Sequence, residues 1–353
     1  MIQPLPSQGR GSAGIRIGNG TLAPSLPAEM RTPLDCLIVG GGPAGLTAAT
    51  CLGRFRRRVT IIDKGWSRAE WITRSHNIPG FPFGIAGPEL LDLMRAQASS
   101  YGAAIEHDSV TDIARAADGM FTVSVSARTI QARTILLASG VVENKPPLAH
   151  FADAVKRGII RTCPICDGYE AIGKRVAVIG SGEHAAAEAL FLRTFSSDVS
   201  LLLMADDDAI LTDNTVSRLH AASILVNHVL GGSVSVGSDG LTEVSIEDGG
   251  KHLFNLVYSA FGTTAQSMLA MDLGARVDDA RRLFVTEHQE TSIPGLYAAG
   301  DVVRGLNQIT VADGEAAIAA TAIHNSLPQV LANEHSRCAK VGRSGQNIFE
   351  PAA

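Results

Sequence analysis

At 353 residues, with 45% hydrophobic and 18% charged side chains, the chain exceeds one average domain and falls among ordinary globular proteins. Its 30 basic and 35 acidic residues leave a net charge of -5 and no basic stripe able to neutralise a run of phosphates, which argues against a nucleic-acid partner. No apolar stretch approaches the ~20 residues that span a bilayer, and the N-terminus lacks a continuous apolar core of signal-peptide type, so a cytoplasmic protein with no membrane segment is expected.

Residues 1–33 scatter Gly, Pro and Ser with no period of 2 or 3.6 and read as a flexible leader. The apolar run Leu34 to Val39 predicts a buried strand, Gly40-Gly41-Gly42-Pro43-Ala44-Gly45 a tight turn, and the stretch to about Gly53 a helix. A second strand, Arg58 to Ile62, ends in Asp63. Phe121 to Ala127 alternates as an antiparallel strand beside this unit. Thr134 to Leu137 is a further strand ending in Ala138-Ser139-Gly140, and Val141 to Pro147 reads as a connector in which proline excludes helix. The strand, turn and helix pattern then recurs. Arg175 to Ile179 predicts a strand, Gly180-Ser181-Gly182-Glu183-His184-Ala185 opens a helix, and Val199 to Leu203 follows as the next strand. Thr242 to Ile246 alternates again, and Phe261-Gly262-Thr263 is a second short connector.

Gly40, Gly42 and Gly45 form G-x-G-x-x-G between strand and helix. The spacing lets the backbone turn tightly, approach a pyrophosphate and aim a helix N-terminus at its charge. Asp63, eighteen residues after Gly45, stands where a carboxylate accepts the hydroxyls of an adenosine ribose. Gly180, Gly182 and Ala185 give the related G-x-G-x-x-A. Two nucleotide-type units make the chain an α/β protein.

Five cysteines are too few for a secreted disulfide framework. Cys163-Pro164-Ile165-Cys166 places two thiols three residues apart, with Pro164 suited to the first turn of a helix whose N-terminus lowers a thiolate pKa. One thiol attacks while the other resolves. A structural zinc site would want a second such pair or a histidine cluster, and Cys36, Cys51 and Cys338 are isolated, so no metal is expected.

Asn77-Ile78-Pro79-Gly80-Phe81, Ala138-Ser139-Gly140 and the run Thr291 to Asp301 (TSIPGLYAAGD) resemble, in order, motifs of the low-molecular-weight thioredoxin reductases. The similarity covers roughly residues 34–327. It implies two Rossmann-like dinucleotide-binding domains of three-layer ββα/βαβ type, the second inserted in the first. The FAD domain would comprise 34–143 and 264–327, the NAD(P)H-type domain carrying the cysteines 144–263, and the tail 328–353. It implies FAD as cofactor, held by Gly40, Gly42, Pro43, Ala44, Gly45, Asp63, Lys64, Asn77, Ala138, Gly140, Gly300, Asp301, Gln308 and Ile309. Asp301 would serve the ribityl-phosphate region, and the helix after Gln308 would aim its amides at the flavin pyrimidine edge. Cys166 would face the flavin, Cys163 would exchange with an external thiol or disulfide, and Asp167 would shuttle the proton. Tyr169-Glu170 after Asp167-Gly168 is similar to the dithiol-oxidase branch of the superfamily, which usually carries His in place of Asp167. Homodimers are the rule among relatives, with one domain rotating about short connectors.

The second nucleotide loop departs from the resemblance. Where the thioredoxin reductases place a His-Arg-Arg cluster that grips a 2'-phosphate, this chain has Leu203-Met204-Ala205-Asp206-Asp207-Asp208. Each missing arginine contact removes about 1.5–3 kcal/mol, and each aspartate opposes a phosphate by about 1 kcal/mol in water. NADPH in the usual pose is therefore disfavoured. NADH bound through an aspartate, electrons from ferredoxin or a second flavin, and electrons passed to oxygen all stay open, as does a merely solvated acidic loop with Arg218 supplying charge from the next helix. The leading expectation is a FAD-dependent oxidoreductase exchanging two electrons with a thioredoxin-like protein or a small dithiol or disulfide. A flavin-bound redox sensor without turnover is the second class. A cysteine-free type of flavin reductase is disfavoured by the intact pair. The tail is polar apart from Ile348-Phe349, an aromatic end that covers a flavin or is disordered.

Overall fold

The apolar run Leu34–Val39 forms β1, whose Cys36, Leu37 and Ile38 are fully buried. A strand flanked on both edges and covered on both faces is expected to read as one continuous apolar run. The computed structural model describes residues 32–144, 151–204, 211–229, 234–236, 241–245, 250–329 and 331. The leader up to residue 31, Asp206 to Asp208, Cys338 and Ile348-Phe349 lie outside them.

After β1 the chain continues through α1 (Pro43–Arg54), β2 (Val59–Asp63), α2 (Gly87–Ser100), β3 (Ala104–His107), β4 (Val110–Arg115), β5 (Phe121–Val125) and β6 (Arg128–Leu137). These strands form one sheet in the order β3-β2-β1-β6-β5-β4, joined on β6 by β17 (Leu296–Ala298) near the end of the chain. The expectation that the Phe121 strand lies beside the sheet is corrected here. The ten-residue β6 pairs antiparallel with β5 through Arg128 to Ala132, and parallel with β1 through Ala132 to Leu137, so one strand splices the two together. Length explains it: a run of ten residues exceeds what the six-residue β1 can pair.

The remaining elements are β7 (Val141–Glu143), α3 (Phe151–Lys156), β8 (Ile160–Arg161), α4 (Pro164–Asp167), β9 (Arg175–Gly180), α5 (Gly182–Leu192), β10 (Asp198–Met204), α6 (Asp213–Ala221), β11 (Leu225–Val229), β12 (Val234–Val236), β13 (Thr242–Ser245), β14 (Lys251–Phe254), β15 (Leu256–Ala260), β16 (Thr263–Ala265), α7 (Met268–Asp272) and α8 (Ile309–Ser326). A second, all-parallel sheet runs β11-β10-β9-β15-β8. α5 packs on one side of it, and the antiparallel β12-β13-β14 sheet contributes Val244 and Phe254 to the other, with Phe151 of α3. Both segments read as connectors instead pair as an antiparallel ribbon, Thr263 opposite Glu143 and Ala265 opposite Val141. Pairing satisfies backbone groups that a bare linker would leave to water.

Alanine composition sets how the cofactor side is built. Ala312, Ala316, Ala319 and Ala320 of α8 are buried in the same cluster as Ala44, Ala48 and Ala49 of α1, so the two helices approach closely. Gly300 fits between their N-terminal turns; a Cβ there would lie 3.0 Å from Ala44 Cβ and 3.5 Å from Ala312 Cβ. Among the described residues no helix is long and apolar enough to cross a membrane.

Candidate active site

Five of the predicted site segments follow the carboxyl end of a parallel strand, where open α/β sheets bind ligands. The glycine turn follows β1, Asp63 closes β2, Ala138 to Gly140 follow β6, Asp301 follows β17, and Cys163 follows β8. Together they line one cavity of about 540 Å³ that runs from Gly40, Gly42 and Lys64 to Cys163, Cys166 and Asp167.

At one end Gly40 has φ +107°, and a Cβ there would stand 2.4 Å from the Ala138 carbonyl oxygen. A Cβ on Gly45 would stand 2.0 Å from the Gly40 oxygen, so the helix can meet the strand only through glycine. α1 starts at Pro43 with no side-chain cap on Gly42, leaving its first amides directed at the cavity. Asp63 is buried, with Oδ1 accepting from the Gly65 amide at 3.1 Å. An uncapped helix start, a ribose-type carboxylate and a long cleft between them fit the diphosphate and adenosine of FAD. Lys64 stacks on the exposed Trp66 ring, 5.3 Å from its centroid.

Asp301 is paired with a residue that sequence reasoning missed. Arg68 donates to Glu143 Oε1 at 2.5 Å and lies 3.4 Å from Asp301 Oδ2. Burial pushes the carboxyls of both Glu143 and Asp301 above the ordinary range, against the pull of Arg68. Arg68 sits in a short 3-10 turn where no periodicity marks it, 75 and 233 residues from its partners.

At the other end Cys163 and Cys166 are joined as a disulfide, with Cα atoms 5.3 Å apart. The helix that follows Cys163 is four residues long, so the expected help of a helix N-terminus reduces to one local donor, the Cys166 amide, 3.2 Å from Cys163 Sγ. Asp167 Oδ2 is held by Arg161 at 2.6 Å, while Oδ1 is buried without a partner among the described residues. The Tyr258 hydroxyl donates to the Asp167 carbonyl at 3.1 Å, fixing the backbone there. Burial pushes the Asp167 carboxyl above its usual range, and Arg161 works against that shift. Arg161 stands two residues before Cys163 on β8; its charge beside the motif was the available signal.

Gln308 and Asn77, expected near flavin, both line the cavity and bond to each other, and Gln308 also reaches the disulfide. Asn77 Nδ2 donates to Gln308 Oε1 at 2.9 Å, and Gln308 Nε2 is 3.4 Å from each sulfur. Ile309 begins α8 and lines the cavity. By contrast, burial pushes the Cys36 thiol up to about 12, making it inert.

Gly180, Gly182 and Ala185 form the second turn as expected, between β9 and α5. Its first helical turn carries Glu183, whose Oε1 accepts from the Thr212 amide at 2.7 Å and whose Oε2 accepts from the Thr215 hydroxyl at 2.6 Å. These bonds hold the Glu183 carboxyl below its usual range, with Arg218 contributing, so it stays charged at the start of α5.

A redox disulfide at one end of a cleft that opens with a glycine turn and ribose carboxylate defines a flavin-type disulfide oxidoreductase. Residues 34–316 match the family described as pyridine nucleotide-disulphide oxidoreductase, and the chain belongs to it. It is 28% identical over 298 residues to a thioredoxin reductase of Listeria monocytogenes, covering 81% of this chain and 91% of that one. It is 30% identical over 304 residues to the bifunctional thioredoxin reductase/thioredoxin of Mycobacterium leprae, covering 83% and 66%. The solved thioredoxin reductase of Streptococcus pyogenes superposes with a TM-score of 0.75 at 28% identity, covering 83% and 97%. The chain is thus a thioredoxin reductase-like, FAD-dependent oxidoreductase acting on sulfur groups. Its class implies FAD and, as a rule, NADPH.

Proposed function

We propose that the chain exchanges two electrons between FAD and an external dithiol or disulfide through Cys163 and Cys166, with a thioredoxin-like protein or a small thiol compound as substrate. The observation that carries this reading is that the disulfide lines the same cavity as the Gly40–Gly45 turn. FAD supplies the two-electron store when bound, held by the first glycine turn, Asp63, Lys64, Ala138, Gly140, Gly300 and Asp301. Residues 34–143 and 264–327 form its domain and 144–263 the inserted one, a division supported by the ribbon of β7 and β16 between the two sheets.

Cys163 exchanges with substrate. The Cys166 amide at its sulfur supports this, because a donor stabilises the attacking thiolate. Cys166 faces the flavin. Asp167 moves the proton as the pair opens and closes; its raised proton affinity and free Oδ1 suit that role, and Arg161 holds the other oxygen still.

The donor is not NADPH in the usual pose. The sequence Asp206-Asp207-Asp208 and the ionised Glu183 at the start of α5 both oppose a phosphate there. This favours a second reading, in which the enzyme closes a dithiol and passes electrons to oxygen; NADH, ferredoxin and a second flavin are the other donors to be tried. The functional unit is a homodimer, tested by sedimentation. Anaerobic titration of the flavoprotein with NADPH, NADH and dithiothreitol, followed at the flavin absorbance, separates the directions. Bleaching by dithiothreitol alone, abolished in Cys166→Ser and reversed by air with peroxide release, is expected. Stoichiometric bleaching by NADPH at micromolar concentration would reject the proposed donor preference.

A further inference from the structure

Gln308 stands at the N-cap of α8, yet its side chain caps nothing in that helix. Its Nε2 lies 3.4 Å from Cys163 Sγ and 3.4 Å from Cys166 Sγ. Its Oε1 accepts from Asn77 Nδ2 at 2.9 Å, and Asn77 Oδ1 accepts from the Ser75 hydroxyl at 2.7 Å. Ser75 is buried and anchored by paired backbone bonds to Ile85, at 2.8 and 2.9 Å. The reverse orientation would set a carbonyl oxygen against two disulfide sulfurs that have no proton to give, so the chain of amides runs one way.

We propose that Ser75, Asn77 and Gln308 form an oriented amide relay that presents the two N–H groups of Gln308 to the redox sulfurs and stabilises the thiolate released when the S–S bond opens. The inference rests on the disulfide exchange proposed above. In that exchange a substrate thiolate bonds to one cysteine sulfur, the Cys163–Cys166 bond breaks, and the other sulfur keeps the electron pair as a thiolate. The substrate's second thiolate then displaces the first cysteine. Substrate leaves as a disulfide, both cysteines hold the transferred electrons, and the two substrate protons pass to the cysteines or to solvent. Gln308 is equidistant from both sulfurs, so whichever one leaves meets a donor. Gln308 is the catalytic residue of the three because it touches the reacting atoms; Asn77 and Ser75 position it.

The charged and titratable groups around the relay are Asp167 and Arg161, paired with each other, Glu170 in the following turn, Tyr258 on β15 behind Asp167, Arg74 and His76 flanking Ser75, with Arg74 donating to the Phe83 and Gly84 carbonyls, and across the cavity Arg68 with Glu143 and Asp301. All are present in every variant below, so a change in thiolate behaviour isolates the relay. The test is the pH profile of iodoacetamide alkylation of the anaerobically reduced flavoprotein, each cysteine followed by mass spectrometry and flavin content recorded in parallel. Losing a hydrogen bond to a charged sulfur is expected to raise the thiolate pKa in Gln308→Leu, slowing alkylation about tenfold at neutral pH. The near-isosteric Gln308→Glu shifts it at least as far, since a carboxylate offers no donor. Ser75→Ala shifts it less, in the same direction, and adds nothing in the Gln308→Leu background. A profile unchanged in Gln308→Leu and Gln308→Glu, or flavin loss as the only effect, overturns the relay. Cysteines of the wild type that stay oxidised under excess dithiothreitol would instead sink the exchange reading itself.

Discussion

The two glycine turns share spacing, strand and helix, and differ in what meets the start of the helix. After Gly42 the first amides of α1 face an open cleft with Asp63 at its side. After Ser181 the first turn of α5 is also uncapped by its own N-cap residue, but it carries Glu183, whose carboxylate is bound to Thr212 and Thr215 at the start of α6. A helix N-terminus attracts one anion. The first turn carries no acidic residue, whereas the second has Glu183, whose carboxylate is bound at the start of the neighbouring α6. The glycine spacing therefore specifies the turn, and the residues one step into the helix are where the two turns differ in charge.

The largest effect that tests this contrast comes from filling the two turns. In Gly45→Ala the new Cβ would stand 2.0 Å from the Gly40 oxygen, and in Gly180→Ala 2.5 Å from the Ala260 oxygen. Both collisions involve backbone, so each is expected to cost about 1–3 kcal/mol or more in thermal unfolding. Only Gly45→Ala should lose bound flavin, read from the visible absorbance of the purified protein. Equal flavin loss in both would erase the distinction between the turns.

What the sequence revealed of this contrast was local. The strands at Leu34, Arg175 and Val199 showed themselves as apolar runs, the turns as glycine spacing, and the redox pair as two cysteines three apart, because each depends on neighbours in the chain. The relations that define the site were not visible in the same way. Gln308 meets sulfurs 145 and 142 residues away, and Arg68 meets Asp301 across 233. No periodic pattern records such pairings; they follow from α1 and α8 packing through alanine and from β17 joining β6. Glu183 was legible as a residue but its bonds were not, since its partners lie on the next helix.

The segment between the turns gives the next prediction. Asp167 has a raised proton affinity in the folded chain, caused by burial against the pull of Arg161. The native state therefore binds this proton more tightly than the unfolded chain, whose aspartate titrates near about 3.9. The stability it contributes is fully present below that value and is lost as pH rises through the folded value. In Asp167→Asn this loss disappears, so wild type minus variant stability, from urea unfolding, should fall as pH rises from about 4 toward neutrality. Arg161 stays charged throughout and adds only a constant offset. Turnover with dithiol should drop about a hundredfold if Asp167 carries the proton. A stability difference that is flat or rising with pH would place the titration elsewhere.

The smallest expected effect is the most direct test of the second turn. Glu183→Gln keeps an oxygen that accepts from the Thr212 amide, while its new amide nitrogen donates to the Thr215 hydroxyl oxygen in place of accepting from it, so α5 and α6 stay joined while the charge at the helix start is removed. NADH and NADPH should then bind several-fold more tightly in a fluorescence titration. The gain should shrink as salt rises, because an exposed charge is screened over about 10 Å at 0.1 M ionic strength. NADH and NADPH gaining alike would assign the effect to the diphosphate at the helix start. A gain confined to NADPH would set the Glu183 charge against the 2'-phosphate, and no gain for either nucleotide would leave the opposition to Asp206-Asp207-Asp208 rather than to Glu183.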